Sequence, residues 1–594
     1  MSRKEVSIRI GGAAGDGVAS TGEIFGKTCA RSGLHVYAYN SYQSVIRGGH
    51  VWFQIRAGAD RVLSVGQNVG ILIALNQQTY DAHVGSIESG GGVIFDPKKV
   101  KADETKLPKG VRAFPMPALE IAAKYSKNPI MANTVMLGAA MQFIAAPIAK
   151  FKSVIEDQFG HKKQEIISQN LEAAQAGWDY AKEHWGRLDY VLGWSDKRRL
   201  FMTGNQAIAL GALAAGCKFY AFYPMTPASS IGHFLADHGP DNGMVVKQAE
   251  DEIAVINMTI GAAYAGARSM CGTSGGGFSL MVEATGFAGI TETPIVVVNS
   301  QRSGPSTGLP TKTEQGDLNL IMGAGQGDWP RIILAPRNVE EAFHATAEAF
   351  NLAERWQTPV FVLSDLLLSE HFETVDGLDL ESVAIDRGAL ITNGSVPTPY
   401  LRYELTENGV SPRAIPGMAG AEHIAGSDEH DEDGTLVSDV RAGLADAIEV
   451  RIKQMDKRGR KLEGALADFD KPELLGPKDA PVTLVTWGST QGAAREAMAT
   501  LAAEGIHVNA LEVKNVWPFQ TKEVTAILSK ARHILVCEGN FTGQFERLLR
   551  TETGIVAHAS LRKYDGEPFW PENIVAKVKE IVAHEKIPVK GGMH

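Results

Sequence analysis

The sequence predicts an α/β protein of three α/β domains, the second of them a doubly wound parallel sheet. Short apolar runs alternate with helical stretches, glycine-rich turns follow several of those runs, and 594 residues exceed what one hydrophobic core organises. The first domain, 1–195, opens with a strand over Glu5–Ile10. The turn GGAAGDG leads from it into a helix over Val18–Ser32, and HVYAY supplies the next strand. The runs VWFQIRA, VGILIAL and GGVIF, with helical sequence to about Tyr190, complete this domain. The second domain, 196–370, starts with a helix over Gly204–Ala215. It then alternates KFYAFYP, MVVKQAE, SMCGTSGG, PIVVVNSQR, RIILAP and PVFVLSD with helices, the pattern of a parallel sheet covered on both faces. Between 371 and 480 the alternation fails, and this stretch reads as a long connection. In the third domain, 481–594, VTLVTWGS, HVNALEV and HILVCEGN resume the alternation.

Composition narrows the function classes. With 44% hydrophobic and 21% charged residues, the chain is neither disordered, collagenous nor a coiled coil. Lys+Arg 58 against Asp+Glu 68 gives a net charge of -10, which argues against nucleic acid as the main partner. The four cysteines, Cys29, Cys217, Cys271 and Cys537, form no CxxC, so they suggest no zinc site, iron–sulfur cluster or disulfide framework. MSRKEVSIRI lacks the apolar stretch of a signal peptide, and a cytoplasmic location follows as the expectation. The apolar stretch Thr134–Ala149 is shorter than the ~20 residues that span a bilayer and reads as a buried helix, with no membrane partner.

Several motifs admit more than one reading. GGAAGDGV sits between a strand and a helix, where backbone N–H groups can cradle an anion, but Ser20 breaks the GxGxxG spacing of a dinucleotide site. Gly15-Asp16-Gly17 with Asn40 mimics a magnesium–diphosphate motif, although Ser41 and Tyr42 follow where a second Asn belongs. Arg47-Gly48-Gly49-His50 reads either as a loop facing an anion such as coenzyme A or as a turn with a solvated cation. Glu422–Asp433, with His423, Asp428, Glu429 and His430, is imaginable as a metal site but fits a solvated acidic loop better.

The second domain carries the densest chemistry. Tyr223-Pro224-Met225-Thr226-Pro227 ends an apolar run and puts the Thr226 hydroxyl at the carboxyl edge of the sheet, where open α/β folds bind ligands. A structural reading has Thr226 cap the next helix with Pro227 at its first position. Glu250, Asp251 and Glu252 precede the helix IAVINMTIGAAYAGA. Acidic residues there suit the helix dipole, yet the apolar helix also predicts a desolvated Glu252 with a raised pKa. MCGTSGGGFSL brings three glycines to another helix start. In PIVVVNSQRSGPSTGLPTKTEQGDL, Arg302 lies just past a buried strand, ahead of a loop with Thr307 and Thr311, where it closes a surface ion pair or holds a carboxylate substrate.

Together these strings resemble the 2-oxoacid:ferredoxin oxidoreductase family, in particular its 2-oxoglutarate branch in the fused γ–α form, over nearly the whole chain. GGAAGDGV with SVIRGGH resembles the γ domain, YPMTP the family's YPITP motif, and EDEIAVINMTIGAAYAG its pyrimidine-binding domain. QRSGPSTGLPTKTEQGDL and GSDEHDEDG resemble the 2-oxoglutarate branch, and the chain from Val482 a transketolase C-terminal-like domain. The resemblance implies that Glu252 contacts the aminopyrimidine of thiamine diphosphate, with Glu250 the fallback, and that Tyr223 and Pro224 line the cofactor. It implies that Thr226, Arg302 and Thr311 hold the 2-oxoacid. It further implies a β subunit carrying Mg²⁺, the cofactor diphosphate and a 4Fe-4S cluster, an (αβ)₂ tetramer, ferredoxin as electron partner and coenzyme A as co-substrate. A sibling acting on pyruvate or a branched-chain 2-oxoacid, a self-sufficient thiamine decarboxylase or transketolase, and a non-catalytic scaffold are the alternatives.

Overall fold

The computed structural model describes residues 3–43, 48–392, 394–437 and 444–585. It is α/β, with three sheets of eight, seven and five strands. The chain divides into two compact units, one of Met1–Thr203, Glu370–Leu378 and Trp570–Asn573, the other of Gly204–Ser369, Asp379–Phe569 and Ile574–His594.

In the first unit the eight strands lie in the order Arg112–Pro115, Ile87–Phe95, Val69–Ala74, Glu5–Ala14, Gly48–Gly58, His35–Ser41, Phe372–Val375, Leu200–Thr203. The alternation of Glu5–Ala14 buries Val6, Ile8 and Ile10, and the strand runs antiparallel to Gly48–Gly58 and parallel to Val69–Ala74. Helix Val18–Arg31 follows the glycine-rich turn. The apolar stretch read as one buried helix is split. Met131–Phe143 is helical and buried along its length, Ala145 takes a positive φ, and a second helix, Ile148–Phe159, starts after Pro147. The first of these packs on helix Gln164–His184 so closely that a Cβ at Gly177 would stand 1.9 Å from Val135 O, which requires glycine. Strands Leu200–Thr203 and Phe372–Val375 pair antiparallel, with Phe201 and Phe372 stacked at 4.9 Å.

The second unit holds the other two sheets. The seven strands are ordered Asn515–Trp517, Ile332–Leu334, Val360–Asp365, Val296–Gln301, Ser269–Thr273, Phe219–Phe222, Val245–Gln248, all parallel except the first. Central strands such as Val296–Gln301 and Val360–Asp365 are buried throughout, as a sheet covered on both faces requires. The five-stranded sheet is ordered Leu474–Leu475, Asn509–Val513, Val482–Trp487, His533–Glu538, Ala559–Arg562. Its Trp487, Leu511, Val536 and Phe545 join Phe278, Val297 and Phe361 in one core, and its neighbour Asn515–Trp517 completes the middle sheet. The two sheets therefore share their packing.

The stretch 371–480 contains more order than its lack of period suggested. A helix of 25 residues, Leu444–Asp468, lies in it, and buried charges rather than an apolar stripe fix it. Glu292 accepts from Lys457 Nζ at 2.6 Å and Lys461 Nζ at 2.5 Å, all three side chains being fully buried. Buried Glu354 accepts from Arg413 at 2.9 Å and pairs with Arg268 and Arg387. The solvated acidic loop expected at Glu422–Asp433 holds for the exposed Glu422, Asp428 and Asp433 and fails for Glu429, His430 and Glu432. Glu429 accepts from Arg458 at 3.0 and 2.9 Å, Glu432 accepts from Leu405 N at 2.9 Å, and buried His430 packs on Tyr403 at 3.9 Å between ring centres. Arg458 thus pairs with Glu429, and the Leu405 backbone N–H with Glu432. Among the described residues no helix is long and apolar enough to cross a membrane.

Candidate active site

The parallel strands of the seven-stranded sheet deliver their carboxyl ends to one edge, and every residue singled out in the second domain follows such an end. Phe219–Phe222 leads into the YPMTP turn, Val245–Gln248 into Glu250–Glu252, Ser269–Thr273 into the three glycines, and Val296–Gln301 into Arg302. This topology is why residues far apart in sequence meet here.

Glu252 is the first residue of helix Glu252–Tyr264, and Asp251 caps that helix by accepting from Ala254 N at 2.8 Å. The helix is apolar nearly all round, so the Glu252 side chain is driven inward to 3% exposure, whereas Glu250 stays exposed. Glu252 Oε1 is buried without a hydrogen-bond partner. It lies against the glycine turn, where a Cβ at Gly277 would come within 2.3 Å of it and 2.1 Å of Thr273 Oγ1. Burial raises the Glu252 pKa, and the neighbouring Asp251 charge adds to the rise.

Arg302 Nη1 donates to Thr226 O at 2.8 Å, so the YPMTP turn and the arginine are joined through backbone. Thr226 caps no helix: the following helix, Ser229–His238, has Ala228 at its N-cap. That leaves its side chain free of the structural duty the capping reading assigned to it. Tyr223 and Pro224 are exposed on the same turn. Thr311 is 8% exposed on a loop closed at its base, with Ser303 N donating to Lys312 O and Leu309 N to Ser303 O, both at 3.0 Å, while Thr307 is exposed.

Sequence reasoning missed three side chains at this edge. Asn299, fully buried on Val296–Gln301, donates to Asp317 Oδ2 at 3.0 Å and leaves its own Oδ1 without a partner. Asp317 packs against the glycine turn, where a Cβ at Gly275 would lie 2.4 Å from Oδ1. Burial raises the Asp317 pKa, opposed by Asn299 and the Arg302 charge. Ser274, buried at the head of helix Gly275–Ile290, also has an unpartnered Oγ. A fold keeps few buried polar atoms unsatisfied. Glu252 Oε1, Ser274 Oγ and Asn299 Oδ1, on or after three parallel strands of one sheet, are buried polar atoms that no protein group satisfies.

The N-terminal candidates have a different character. Asp16 Oδ2 accepts from Ala13 N at 2.8 Å, turning its carboxylate back on its own loop, and Asn40 lies within strand His35–Ser41. Among the described residues no group of three or more His, Cys, Asp or Glu is placed to hold a metal. Arg47 lies outside the described residues, as do its neighbours 44–46. His50 Nε2 is 2.7 Å from His83 Nε2, and Arg9 Nη1 is 3.0 Å from His83 Nδ1.

Comparison with known proteins places this geometry in context. The family description "Pyruvate flavodoxin/ferredoxin oxidoreductase, thiamine diP-bdg" matches residues 210–449. "Pyruvate ferredoxin/flavodoxin oxidoreductase" matches 7–180, and "Pyruvate:ferredoxin oxidoreductase core domain II" matches 480–564. The α subunit of 2-oxoacid:ferredoxin oxidoreductase from Saccharolobus solfataricus is 31% identical over 99% of this chain and 100% of its own. The 2-oxoglutarate oxidoreductase subunit KorA of Mycobacterium tuberculosis is 30% identical over 98% of this chain and 92% of its own. The structure of 2-oxoglutarate:ferredoxin oxidoreductase from Magnetococcus marinus, with 2-oxoglutarate, coenzyme A and succinyl-CoA bound, superposes with a TM-score of 0.90 at 36% identity. It covers 97% of this chain and 99% of that one.

Proposed function

The chain belongs to the 2-oxoacid:ferredoxin oxidoreductase family of oxidoreductases, where it stands with the α subunits, and from that premise we propose that its substrate is 2-oxoglutarate. The reaction is then coenzyme A-dependent oxidative decarboxylation to succinyl-CoA and CO₂, with two electrons passed to ferredoxin. The 2-oxoglutarate named for the Magnetococcus and Mycobacterium relatives supports this choice. The observation that carries the site is the buried acid Glu252, with Oε1 unpartnered beside the glycine turn.

Those residues fit thiamine diphosphate. A protonated Glu252 carboxyl would meet a ring nitrogen of the aminopyrimidine, and Gly277 leaves the space for that contact. Tyr223 and Pro224 would flank the cofactor. When bound, the cofactor supplies the carbanion stabilisation that decarboxylation of a 2-oxoacid needs. Arg302 would pair with the substrate carboxylate, with Thr226 and Thr311 beside it, at an edge where a guanidinium gives two parallel hydrogen bonds to a carboxylate. The chain's four cysteines are buried and scattered, so we assign Mg²⁺, the diphosphate site and a 4Fe-4S cluster to a β subunit, in an (αβ)₂ assembly of the cytoplasm. Exposed Tyr223, Val245, Ile253 and Leu280, on or near these loops, would be covered in that assembly.

Native purification of the chain with its partner tests this reading. Iron, sulfide and thiamine should co-elute, and dye reduction should require coenzyme A and prefer 2-oxoglutarate to pyruvate. Preference for pyruvate moves the protein to a sibling activity; turnover by the isolated, iron-free chain overturns the two-subunit reading. Gly277→Ala is a sharper probe. Its Cβ displaces the Glu252 carboxyl, and overpacking of that size predicts at least about a tenfold weaker apparent affinity for thiamine diphosphate, measured by reconstitution of the apoenzyme.

A further inference from the structure

Arg302 and Thr311 lie on a loop whose return limb, 313–319, is held by the C-terminal sheet. Gln315 in this limb is 2% exposed. Gln315 N donates to Gly539 O at 2.6 Å, and Gln315 Oε1 accepts from Gly539 N at 2.8 Å. Gln315 Nε2 donates to Trp487 O at 2.9 Å, and Gln315 O accepts from Asn540 Nδ2 at 3.1 Å. Both backbone groups and both ends of the side-chain amide are thus bound to two turns, those that follow strands Val482–Trp487 and His533–Glu538. The turns are themselves fixed. Asn540 donates to Glu538 Oε2 at 2.6 Å, and Glu538 accepts from Phe545 N at 2.9 Å and Glu546 N at 3.1 Å. Gly488 admits the amide, since a Cβ there would stand 2.9 Å from Gln315 Nε2. Beyond Gln315 the limb returns to the site, with Asp317 N donating to Gln301 Oε1 at 2.9 Å beside Arg302.

We propose that Gln315 is a positioning residue through which the C-terminal sheet sets the place of the Arg302–Thr311 loop, and so the affinity for the 2-oxoacid carboxylate. The proposal rests on the reading that Arg302 holds that carboxylate. The C-terminal sheet thereby acts on substrate recognition through the Arg302–Thr311 loop. Gln315 sets the loop's register against Trp487 and Gly539, beside further ties from Thr313 N to Gly566 O at 3.2 Å, from Gln544 Nε2 to Gly316 O at 2.7 Å and between Lys312 and Glu567.

The test uses the purified complex of this chain with its partner subunit, assayed by dye reduction with 2-oxoglutarate. Gln315→Met keeps the volume and removes both side-chain hydrogen bonds. It is expected to raise KM for 2-oxoglutarate about tenfold, with kcat, KM for coenzyme A and thiamine diphosphate content within twofold of the parent. Gln315→Glu keeps the acceptor for Gly539 N but sets a carboxylate oxygen against Trp487 O, so a rise at least as large is expected, and it is the second variant of the test. Arg302→Ala is the reference. If it raises KM and neither Gln315 variant does, the positioning role is wrong while the site reading stands. If Arg302→Ala leaves KM unchanged, both fall. A lowered melting temperature or lost thiamine without the selective KM change marks Gln315 as structural only and overturns the proposal.

Discussion

Glu252→Gln is expected to lower turnover of the assembled enzyme by about 100- to 10,000-fold, the range associated with losing a positioned proton-transfer group. The substitution preserves size and hydrogen-bonding capacity, so the glycine turn at Gly277 still closes over it. It removes only the ability to carry a proton at Oε1, the atom left without a partner. Burial favours the protonated carboxyl by raising its pKa. The same shift fixes the sign of a stability effect. A carboxyl whose folded pKa lies above its unfolded one leaves stability intact at low pH and erodes it as pH rises through the folded value. Glu252→Gln should therefore raise the melting temperature at pH 8 and leave it unchanged at pH 4, while abolishing activity throughout. A variant that keeps more than about a tenth of parental turnover would show that Glu252 takes no part in proton transfer.

The burial of an acid explains why Glu252 was legible in the sequence at all. Glu252 is the acid of the Glu250–Glu252 run that directly leads an apolar helix, where a carboxylate is desolvated. The parallel sheet covered on both faces was equally open to reading, because 295–298 (IVVV) and 360–363 (VFVL) are short continuous apolar runs. Asn299, Ser274 and Gln315 gave no such signal. Each is an ordinary polar residue in its own window, and its weight comes from strand ends or turns distant in sequence. Helix Leu444–Asp468 was hidden for a related reason. Its inward face carries Lys457 and Lys461 rather than an apolar stripe, so hydropathy registers a charged connection where the structure has a buried one.

The largest loss of stability is expected from Glu292→Gln, about 3–5 kcal/mol, because it leaves two buried ammonium groups without their anion. Lys457 and Lys461 are one turn apart on helix Leu444–Asp468 and reach Glu292 at 2.6 and 2.5 Å with no exposure of any of the three side chains. Arg402 donates to Glu292 O at 2.8 Å and to Gln357 Oε1 at 2.9 Å, Lys461 also donates to Gln357 O at 3.1 Å, and the Tyr403 ring lies 5.8 Å from Lys457 Nζ. The array holds the 371–480 stretch onto the end of helix Gly275–Ile290, the helix that begins at the glycine turn beside Glu252. Burial pulls Lys461 from 10.5 down to about 7 against the pull of Glu292. Between those values the unfolded chain binds the extra proton, so this lysine makes stability rise with pH from about 7 to 10. Chemical denaturation across that window should show the rise in the parent protein and lose it in Lys461→Met, which retains the Glu292–Lys457 pair. Glu292→Gln within about 1 kcal/mol of the parent, or an unchanged slope in Lys461→Met, would mean that water reaches these charges and that the helix is held by its apolar contacts instead.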